Sequence, residues 1–303
     1  MIAGPTGTGK SELAVRLGRS LQIEIVGCDA LQLYRGFDVA TAKPSPAQRA
    51  AVPHHLVDCI DPRGNFSLAD YIRLAERAVA EIHRRGRIPA IVGGTGLYLR
   101  GLLRGVVEAP ARDPELRSRL QEIVARFGPE RLHRRLARMD PVSAAKIPPR
   151  DAQRIVRAME VALAGGEPLG RRLERQGNWR DERERYATVK IGLDMDRAPL
   201  YARLDRRVRE FFDRGLAAEV RTLLDCGVPA DANAFKAIGY REVLREVLAG
   251  GDPAAVIEEV RRNTRRYSKR QRTWFRGEPG MRWLDAASSW REKIEATLSA
   301  WRS

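Results

Sequence analysis

The chain has 303 residues, of which 43% are hydrophobic and 31% are charged, so its composition is that of a globular protein and not of a disordered or collagen-like chain. No apolar run approaches the ~18 residues of a membrane-spanning helix, and Met1 leads directly into a glycine-rich segment, so we expect neither a membrane anchor nor a signal peptide. The 55 Lys and Arg residues exceed the 39 Asp and Glu residues by 16, an excess that favours a polyanionic partner such as nucleic acid. Cys28, Cys59 and Cys226 form no Cys-x-x-Cys pair, which excludes a disulfide scaffold and favours a reducing, cytoplasmic location.

Strands and helices alternate along the first hundred residues, as judged from the spacing of apolar side chains. Strands that are separated by helices predict a parallel sheet with helices on both faces. The predicted elements, in chain order, are a loop at residues 4–11, a helix at 12–21, a strand at 23–26, a helix at 68–84 and a strand at 88–92.

The pattern changes near Asp113, which is suited to cap a helix, and a second capped helix is predicted after Asp151. Residues 170–185 are polar, so we expect an exposed, mobile loop, whereas residues 188–193 predict a strand that rejoins the sheet. The predicted domains are therefore an α/β core at residues 1–112 and 186–303 and a small all-helical insertion at residues 113–185.

The first loop carries a phosphate-binding pattern, G-x-x-x-x-G-K-[ST]. Its glycines let backbone N–H groups surround a phosphate, while Lys10 supplies charge and Ser11 is suited to hold Mg²⁺. The pattern predicts a diphosphate or triphosphate site without indicating what the phosphates carry. The residues of this P-loop are Gly4, Pro5, Thr6, Gly7, Thr8, Gly9, Lys10 and Ser11.

Two further positions lie where predicted strands end, at the sheet edge on which such folds bind ligands. Asp29 follows the second strand, and a carboxylate there is suited to bind Mg²⁺ or to act as a general base. The strand at 88–92 ends in Gly93, Gly94 and Thr95 and not in the metal-binding Asp of a P-loop ATPase, which weakens the case for a nucleotide hydrolase. The Thr95 hydroxyl is suited to donate to a phosphate oxygen.

A basic segment at residues 261–276 holds eight cations and no acid, with three aromatic residues among them. On a helix these cations form a face that can follow phosphates, while the aromatic rings pack inward or stack on bases. Since the segment contains no compensating acid, we predict phosphate contact for its arginines.

These motifs closely resemble those of the bacterial tRNA dimethylallyltransferases. The resemblance extends over residues 29–44, 92–98, 153–160 and 269–276, in the family's order and over nearly the whole chain. It implies a P-loop-type fold and transfer of the dimethylallyl group from dimethylallyl diphosphate to N6 of the adenosine 3′-adjacent to the anticodon, in tRNAs that read codons beginning with U. The implied products are N6-isopentenyladenosine and diphosphate.

The resemblance also implies roles for individual residues. The P-loop would hold the diphosphate with Mg²⁺ at Ser11, Asp29 would accept a proton from the adenine amine, and Lys10, Thr95 and Arg203 would act on the leaving group. The insertion would clamp the anticodon stem-loop, and we expect the protein to act as a monomer. The residues implied to contact tRNA are Asp29, Ala30, Leu31, Gln32, Thr95, Arg117, Gln153, Arg154, Ile155, Val156, Arg157, Lys236, Arg241, Lys269, Arg272 and Arg276.

Three other functions share some of these features. A kinase acting on a small molecule or polynucleotide would use the same P-loop for ATP. A non-enzymatic RNA-binding protein would leave the P-loop and Asp29 without a role. An isopentenyltransferase acting on free adenine nucleotides would not need the basic segment or the helical insertion, so the sequence favours the polymer substrate.

Overall fold

The computed structural model describes residues 1–106, 109–110, 113–165, 167–175 and 184–302. The chain divides into two compact units, Met1–Leu103 with Glu184–Ser303, and Arg104–Arg183. The strands found within the described residues are β1 (Ile2–Ala3), β2 (Ile23–Cys28), β3 (His54–His55), β4 (Ile88–Gly93), β5 (Lys190–Asp194) and β6 (Met281–Asp285).

The helices in chain order are α1 (Lys10–Leu17), α2 (Pro46–Ala51), α3 (Leu68–Arg84), α4 (Gly96–Arg104), α5 (Pro114–Phe127), α6 (Pro129–Met139), α7 (Pro141–Lys146), α8 (Ala152–Leu163), α9 (Leu169–Arg175), α10 (Arg197–Asp213), α11 (Leu216–Asp225), α12 (Tyr240–Ala249), α13 (Ile257–Arg276) and α14 (Trp290–Arg302). Two 3₁₀ turns are added at Asn233–Lys236 and Pro253–Val256. None of the helices in the described ranges combines the length and the apolar character that crossing a membrane requires.

The first unit contains one sheet, in the order β3-β2-β4-β1-β5-β6, and every pair of neighbouring strands is parallel. This confirms the predicted α/β class. Although β1 has only two residues, it lies between β4 and β5 and pairs with both, so its backbone is bonded on each side. Because all strands point the same way, their carboxyl ends lie along one edge of the sheet.

Helices cover both faces of the sheet. On one face, Leu13 and Leu17 of α1 pack with Leu200 and Leu204 of α10. On the other face, Tyr71 and Ile82 of α3 pack with Phe275 of α13. A third apolar cluster joins Phe37 to α10, α11, α12 and α13 and fixes these helices near the carboxyl edge of the sheet.

The bounds of α3 agree with the predicted helix, because Ser67 and Asp70 cap its start reciprocally. The predicted helix at 12–21 is too long: α1 ends at Leu17, and Leu21 packs on the core after a turn that leads into β2. Leu21 thus continues the apolar spacing of the helix although it lies beyond the end of the helix, because it packs against the same core. The two segments of the first unit meet where the backbone N–H of Arg185 donates to the carbonyl of Leu103, at 2.7 Å.

The second unit is built from helices α5 to α9 around a core that includes Leu120, Leu132 and Leu136. Asp113 and Asp151 cap α5 and α8 as predicted. The expected loop at 170–185 is wrong for residues 170–175, which lie in α9, and residues 176–183 of that prediction lie outside the described residues. The start of α9 is fixed because the backbone N–H of Gly170 donates to Oδ2 of buried Asp140, at 2.9 Å.

Candidate active site at the carboxyl edge of the sheet

The P-loop, Asp29 and Thr95 lie together because they follow β1, β2 and β4, whose carboxyl ends share one edge. The hydroxyl of Thr95 accepts a hydrogen bond from the backbone N–H of Ala30, at 3.1 Å. The N–H of Thr95 in turn donates to the carbonyl of Cys28, at 3.2 Å. The turn after β4 is thus bonded to the start of the 29–32 segment, and the Thr95 hydroxyl proton is free to be donated to a ligand.

The P-loop requires glycine at its first position. Gly4 has φ +139°, and a Cβ there would lie 2.3 Å from the carbonyl oxygen of Leu193, so any side chain would clash with the backbone of β5. The hydroxyl of Thr8 and the ammonium of Lys10 both donate to the carbonyl of Pro5, at 2.9 and 2.8 Å. The loop therefore closes around its own backbone just before α1, whose N-terminal N–H groups favour an anion.

Two half-buried cations lie at this site: Lys10 of the loop itself and Arg207 of α10. The pKa of Lys10 is lowered to about 8, first by burial and then by the neighbouring charge of Arg207, while Asp29 opposes the shift. The guanidinium of Arg207 donates to the hydroxyl of Thr6, at 3.2 Å, and burial likewise lowers its pKa. Two cations with a single carboxylate nearby leave an excess of positive charge, which makes this a site for an anion.

The structure places Arg207 against the P-loop, while the role implied for Arg203 stays a prediction. Arg203 is exposed and lies one helical turn earlier on α10. Leu200 and Leu204 form the apolar stripe that packs on the loop at Gly7, and both arginines flank that stripe. The helical spacing therefore indicates a cation beside the P-loop but does not decide between the two positions.

The carboxylate of Asp29 is held by its own backbone segment. Its Oδ1 accepts hydrogen bonds from the N–H groups of Leu31 and Gln32, at 2.9 and 3.4 Å. No described residue donates a hydrogen bond to Oδ2, so this oxygen can accept a proton from a ligand. The carboxylate lies within electrostatic range of both Lys10 and Arg207, which puts a base beside the anion site.

The donors at this edge suit Mg²⁺ only together with a bound phosphate. The described residues contain no group of three or more His, Cys, Asp or Glu side chains that could hold a metal ion. The hydroxyl of Ser11, exposed at the start of α1, offers one oxygen ligand. Mg²⁺ commonly takes one or two protein oxygens and completes its shell with substrate phosphates and water, so these residues fit that arrangement.

The basic segment is helical, as α13, but acids from other elements compensate part of it. Arg272 and Arg276 pair with Asp194, at 2.8 and 3.4 Å, and Arg265 pairs with Asp205. A segment that contains no acid of its own is thus partly compensated, because a count along one segment does not include acids that the fold brings to it, and the phosphate contact of its arginines stays a prediction. Four exposed cations of the helix form no ion pair with a described acid: Arg262, Arg266, Lys269 and Arg270.

The other residues of the first unit that are predicted to contact tRNA differ in whether their side chains are already hydrogen-bonded within the protein. Gln32 donates to the carbonyls of Thr41 and Ala42, both at 3.1 Å, so its amide N–H₂ is used within the protein. Lys236 is exposed, and exposed Arg241 pairs with buried Glu242. Lys236 and Arg241 therefore have their charges at the surface, whereas Gln32 orders the 29–42 segment.

Within the second unit, the predicted contacts divide into surface and interior. Gln153 and Arg154 are exposed at the start of α8. Ile155 and Val156 are buried in the core of the unit, so their side chains cannot reach an RNA ligand. Arg117 pairs with buried Glu160 at 2.8 Å, and Arg157 donates to the carbonyl of Pro110 at 2.8 Å, so both arginines also hold the unit together.

Gln271 lies within the 269–276 motif, but the sequence assigned no role to its side chain, which lies on the inner side of α13. Its Oε1 accepts from the N–H of Thr6 at 2.8 Å, and its Nε2 donates to the carbonyl of Gly94 at 2.9 Å. One buried amide thus joins the P-loop to the turn after β4.

Comparison with known proteins agrees with this geometry. Residues 32–278 match the family model of the IPP transferases. A curated relative named tRNA dimethylallyltransferase, from Geobacter sulfurreducens, is 46% identical over 285 residues, which are 94% of this chain and 91% of that protein. A relative of the same name from Solibacter usitatus is 46% identical over 283 residues, which are 93% of this chain and 91% of that protein.

Solved structures with the same fold belong to enzymes of the same kind. The tRNA isopentenylpyrophosphate transferase of Bacillus halodurans superposes with a TM-score of 0.69 at 34% identity, covering 100% of this chain and 98% of that chain. A eukaryotic dimethylallyltransferase acting on tRNA superposes with a TM-score of 0.81 at 27% identity, covering 98% of this chain and 76% of that chain.

Proposed function

The chain belongs to the IPP transferase family, and from that premise we propose that it is a tRNA-modifying enzyme that transfers the dimethylallyl group of dimethylallyl diphosphate to N6 of an adenosine. The target is the adenosine 3′-adjacent to the anticodon of tRNAs that read codons beginning with U. The observation that carries the proposal is the pair of half-buried cations, Lys10 of the P-loop and Arg207 of α10, beside the carboxylate of Asp29. This arrangement suits a reaction that releases an anion and a proton at one place.

The chemistry follows from these positions. The bond between the allylic carbon and the diphosphate oxygen breaks, and its electron pair leaves with the diphosphate. Lys10 and Arg207 stabilise the charge that develops on that leaving group, which is commonly the largest contribution to catalysis. N6 of adenine forms the new bond to carbon, and its proton passes to Oδ2 of Asp29. The target base must leave the stack of the anticodon loop to reach the site.

A magnesium ion would be held by the hydroxyl of Ser11 and by oxygens of the substrate. When bound, it would neutralise part of the diphosphate charge. The remaining steps fall to residues of the chain: the P-loop orients the diphosphate, and Thr95 can donate its hydroxyl proton to a phosphate oxygen. Asp29, fixed by two backbone N–H groups, is oriented before substrate arrives.

The tRNA contacts in this proposal are made in the first unit by the exposed cations of α13, with Lys236 and Arg241, and in the second unit by the exposed start of α8. Cations that make no ion pair within the protein release counterions from RNA without first losing a partner, so they should dominate the salt dependence of binding. The proposal places the reaction in the cytoplasm, with the monomer as the active unit.

The deciding experiment incubates the protein with unmodified tRNA and dimethylallyl diphosphate and analyses the nucleosides of the tRNA. We expect N6-isopentenyladenosine in amounts equal to the diphosphate released, and Asp29→Asn should abolish most of the product. Incubation with ATP in place of the prenyl donor tests the alternative kinase. Phosphate transfer from ATP without any prenyl product would contradict the proposal.

A further inference from the structure

The amide of Gln271 lies between the two halves of the proposed reaction: the diphosphate loop and the helix that carries the RNA-facing cations. We propose that Gln271 is a positioning residue that couples tRNA binding on α13 to diphosphate binding at the P-loop. This inference rests on the proposed function, because it assigns the two ligands to those two surfaces.

The side-chain amide of Gln271 acts both as a hydrogen-bond acceptor and as a donor. Oε1 accepts from the backbone N–H of Thr6, and Nε2 donates to the carbonyl of Gly94. The side chain is buried, with 6% of its surface exposed, so it forms these bonds away from water, where a lost partner leaves an unsatisfied polar group. The N–H of Thr6 is thereby directed toward Gln271, which sets the orientation of the peptide at the beginning of the P-loop.

Thr6 is held a second time from α10. Its hydroxyl accepts from Arg207, while its N–H is bound by Gln271. The helices α10 and α13 are themselves joined by the ion pair of Arg265 with Asp205. The loop that receives the diphosphate is therefore fixed by two helices that are bonded to each other, and not by its own backbone alone.

The part of α13 around Gln271 also carries cations that are exposed to solvent. Arg266, Lys269 and Arg270 are exposed within five residues before Gln271. Arg272, directly after it, is paired with Asp194 at the carboxyl end of β5. A polyanion bound to the exposed cations thus acts on a helix that is attached to the sheet edge at Gln271 and Arg272. When tRNA holds α13 in one position, the P-loop conformation that is bonded to this position is stabilised, and the affinity for diphosphate increases. By linkage, bound diphosphate must increase the affinity for tRNA by the same factor.

Two substitutions disturb the amide from opposite sides. Gln271→Met keeps the length of the side chain and removes both hydrogen bonds. Gly94→Ala keeps glutamine at position 271 but adds a Cβ that would lie 2.3 Å from its Nε2. The amide group must therefore move away from its two partners. Thr273→Ala changes an exposed residue on the same helix and serves as the matched control.

The experiment measures the dissociation constant of inorganic diphosphate by calorimetry, with and without saturating tRNA. In the parent and in Thr273→Ala, we expect tRNA to tighten diphosphate binding by about fivefold or more. In Gln271→Met and in Gly94→Ala, diphosphate alone should bind about tenfold more weakly, the effect of losing two hydrogen bonds. The tightening by tRNA should fall to less than about twofold, while the affinity for tRNA alone stays within about threefold.

A double variant checks that both changes act through one contact. Gln271→Ala removes the amide that the Cβ at position 94 would strike, so adding Gly94→Ala to it should cause no further loss. Independent, additive losses would overturn the proposal, as would full tRNA tightening in either single variant or an equal loss of tRNA and diphosphate affinity. A parent that forms no prenylated tRNA would instead refute the proposed function, whatever the behaviour of Gln271.

Discussion

The depressed pKa of Lys10 makes a quantitative prediction about pH. With a pKa of about 8, set first by burial and then by Arg207, most Lys10 side chains of the free enzyme are charged at pH 7 and few at pH 9. If the diphosphate binds to the charged form, its affinity falls about tenfold from pH 7 to pH 9, since the protonated fraction falls by that factor. Arg207 keeps its charge throughout this range, so the decrease reports on Lys10.

The assay is calorimetric titration of diphosphate at pH 7, 8 and 9. Dividing each affinity of the parent by that of Lys10→Gln removes the ionisation of the ligand itself, and this ratio should show the tenfold decrease. Titrations at pH 9 in buffers of different ionisation enthalpy should show uptake of about one proton on binding, against almost none at pH 7. A ratio that stays constant across the range would refute the argument that Lys10 titrates at the anion site.

Lys10 has the opposite effect on folding. Between about pH 8 and 10.5, the ordinary pKa of a lysine, the folded protein releases this proton before the unfolded chain does. The cost of burying the charged ammonium therefore disappears as pH rises through this window, and the contribution of Lys10 to stability improves. Affinity and stability should thus change in opposite directions over the same pH range in the parent and not in Lys10→Gln, as measured by urea unfolding beside the titrations.

Three further predictions concern individual side chains. Asp29→Asn keeps the acceptor for the N–H of Leu31 but cannot take a proton, so turnover should fall by about 10²–10⁴ with tRNA affinity within a few-fold; near-parental turnover would remove Asp29 from the mechanism. Arg207→Gln should weaken diphosphate binding by more than about tenfold and the matched Arg203→Gln by less than about threefold in the same titration, because Arg207 donates to Thr6 of the P-loop whereas Arg203 is exposed; the reverse ranking would favour the role implied for Arg203. Leu136→Ala should lower the free energy of unfolding of the second unit by about 2–5 kcal/mol, because Leu136 is fully buried there; a loss below about 1 kcal/mol in urea titrations would show that the helices do not share this core.

The parts of the fold that the sequence predicted are those whose cause is local. Helix α3 has its cap and its apolar stripe within the same 18 residues, and β2 is a short buried strand that is apolar except for Glu24. Arg207 and Gln271 were missed because their roles depend on partners in the P-loop, 201 and 265 residues earlier in the chain. Spacing along a helix identifies the face that is buried but not which loop lies against it.

Helix α9 was missed for a related reason. Its sequence is polar and begins beside a glycine, which locally favours a loop. The cause of the helix is the buried carboxylate of Asp140, 30 residues earlier, which accepts from the N–H of Gly170. A Cβ at position 170 would lie 2.4 Å from that carboxylate, so the glycine is there for close approach and not for flexibility.

The hydrogen bond between Arg185 and Leu103 has a consequence for how this architecture can change over time. It joins the two chain segments of the first unit between which the second unit is inserted, so the first unit is closed at this point whatever is placed between them. The entropy of closing a loop rises only slowly with its length, by ~0.6 kcal/mol for each doubling, so a longer or shorter insert costs the host little. The second unit can therefore be exchanged or remodelled by insertions and deletions without refolding the first unit, and a short turn grafted between residues 103 and 185 should leave a folded first unit that still binds diphosphate.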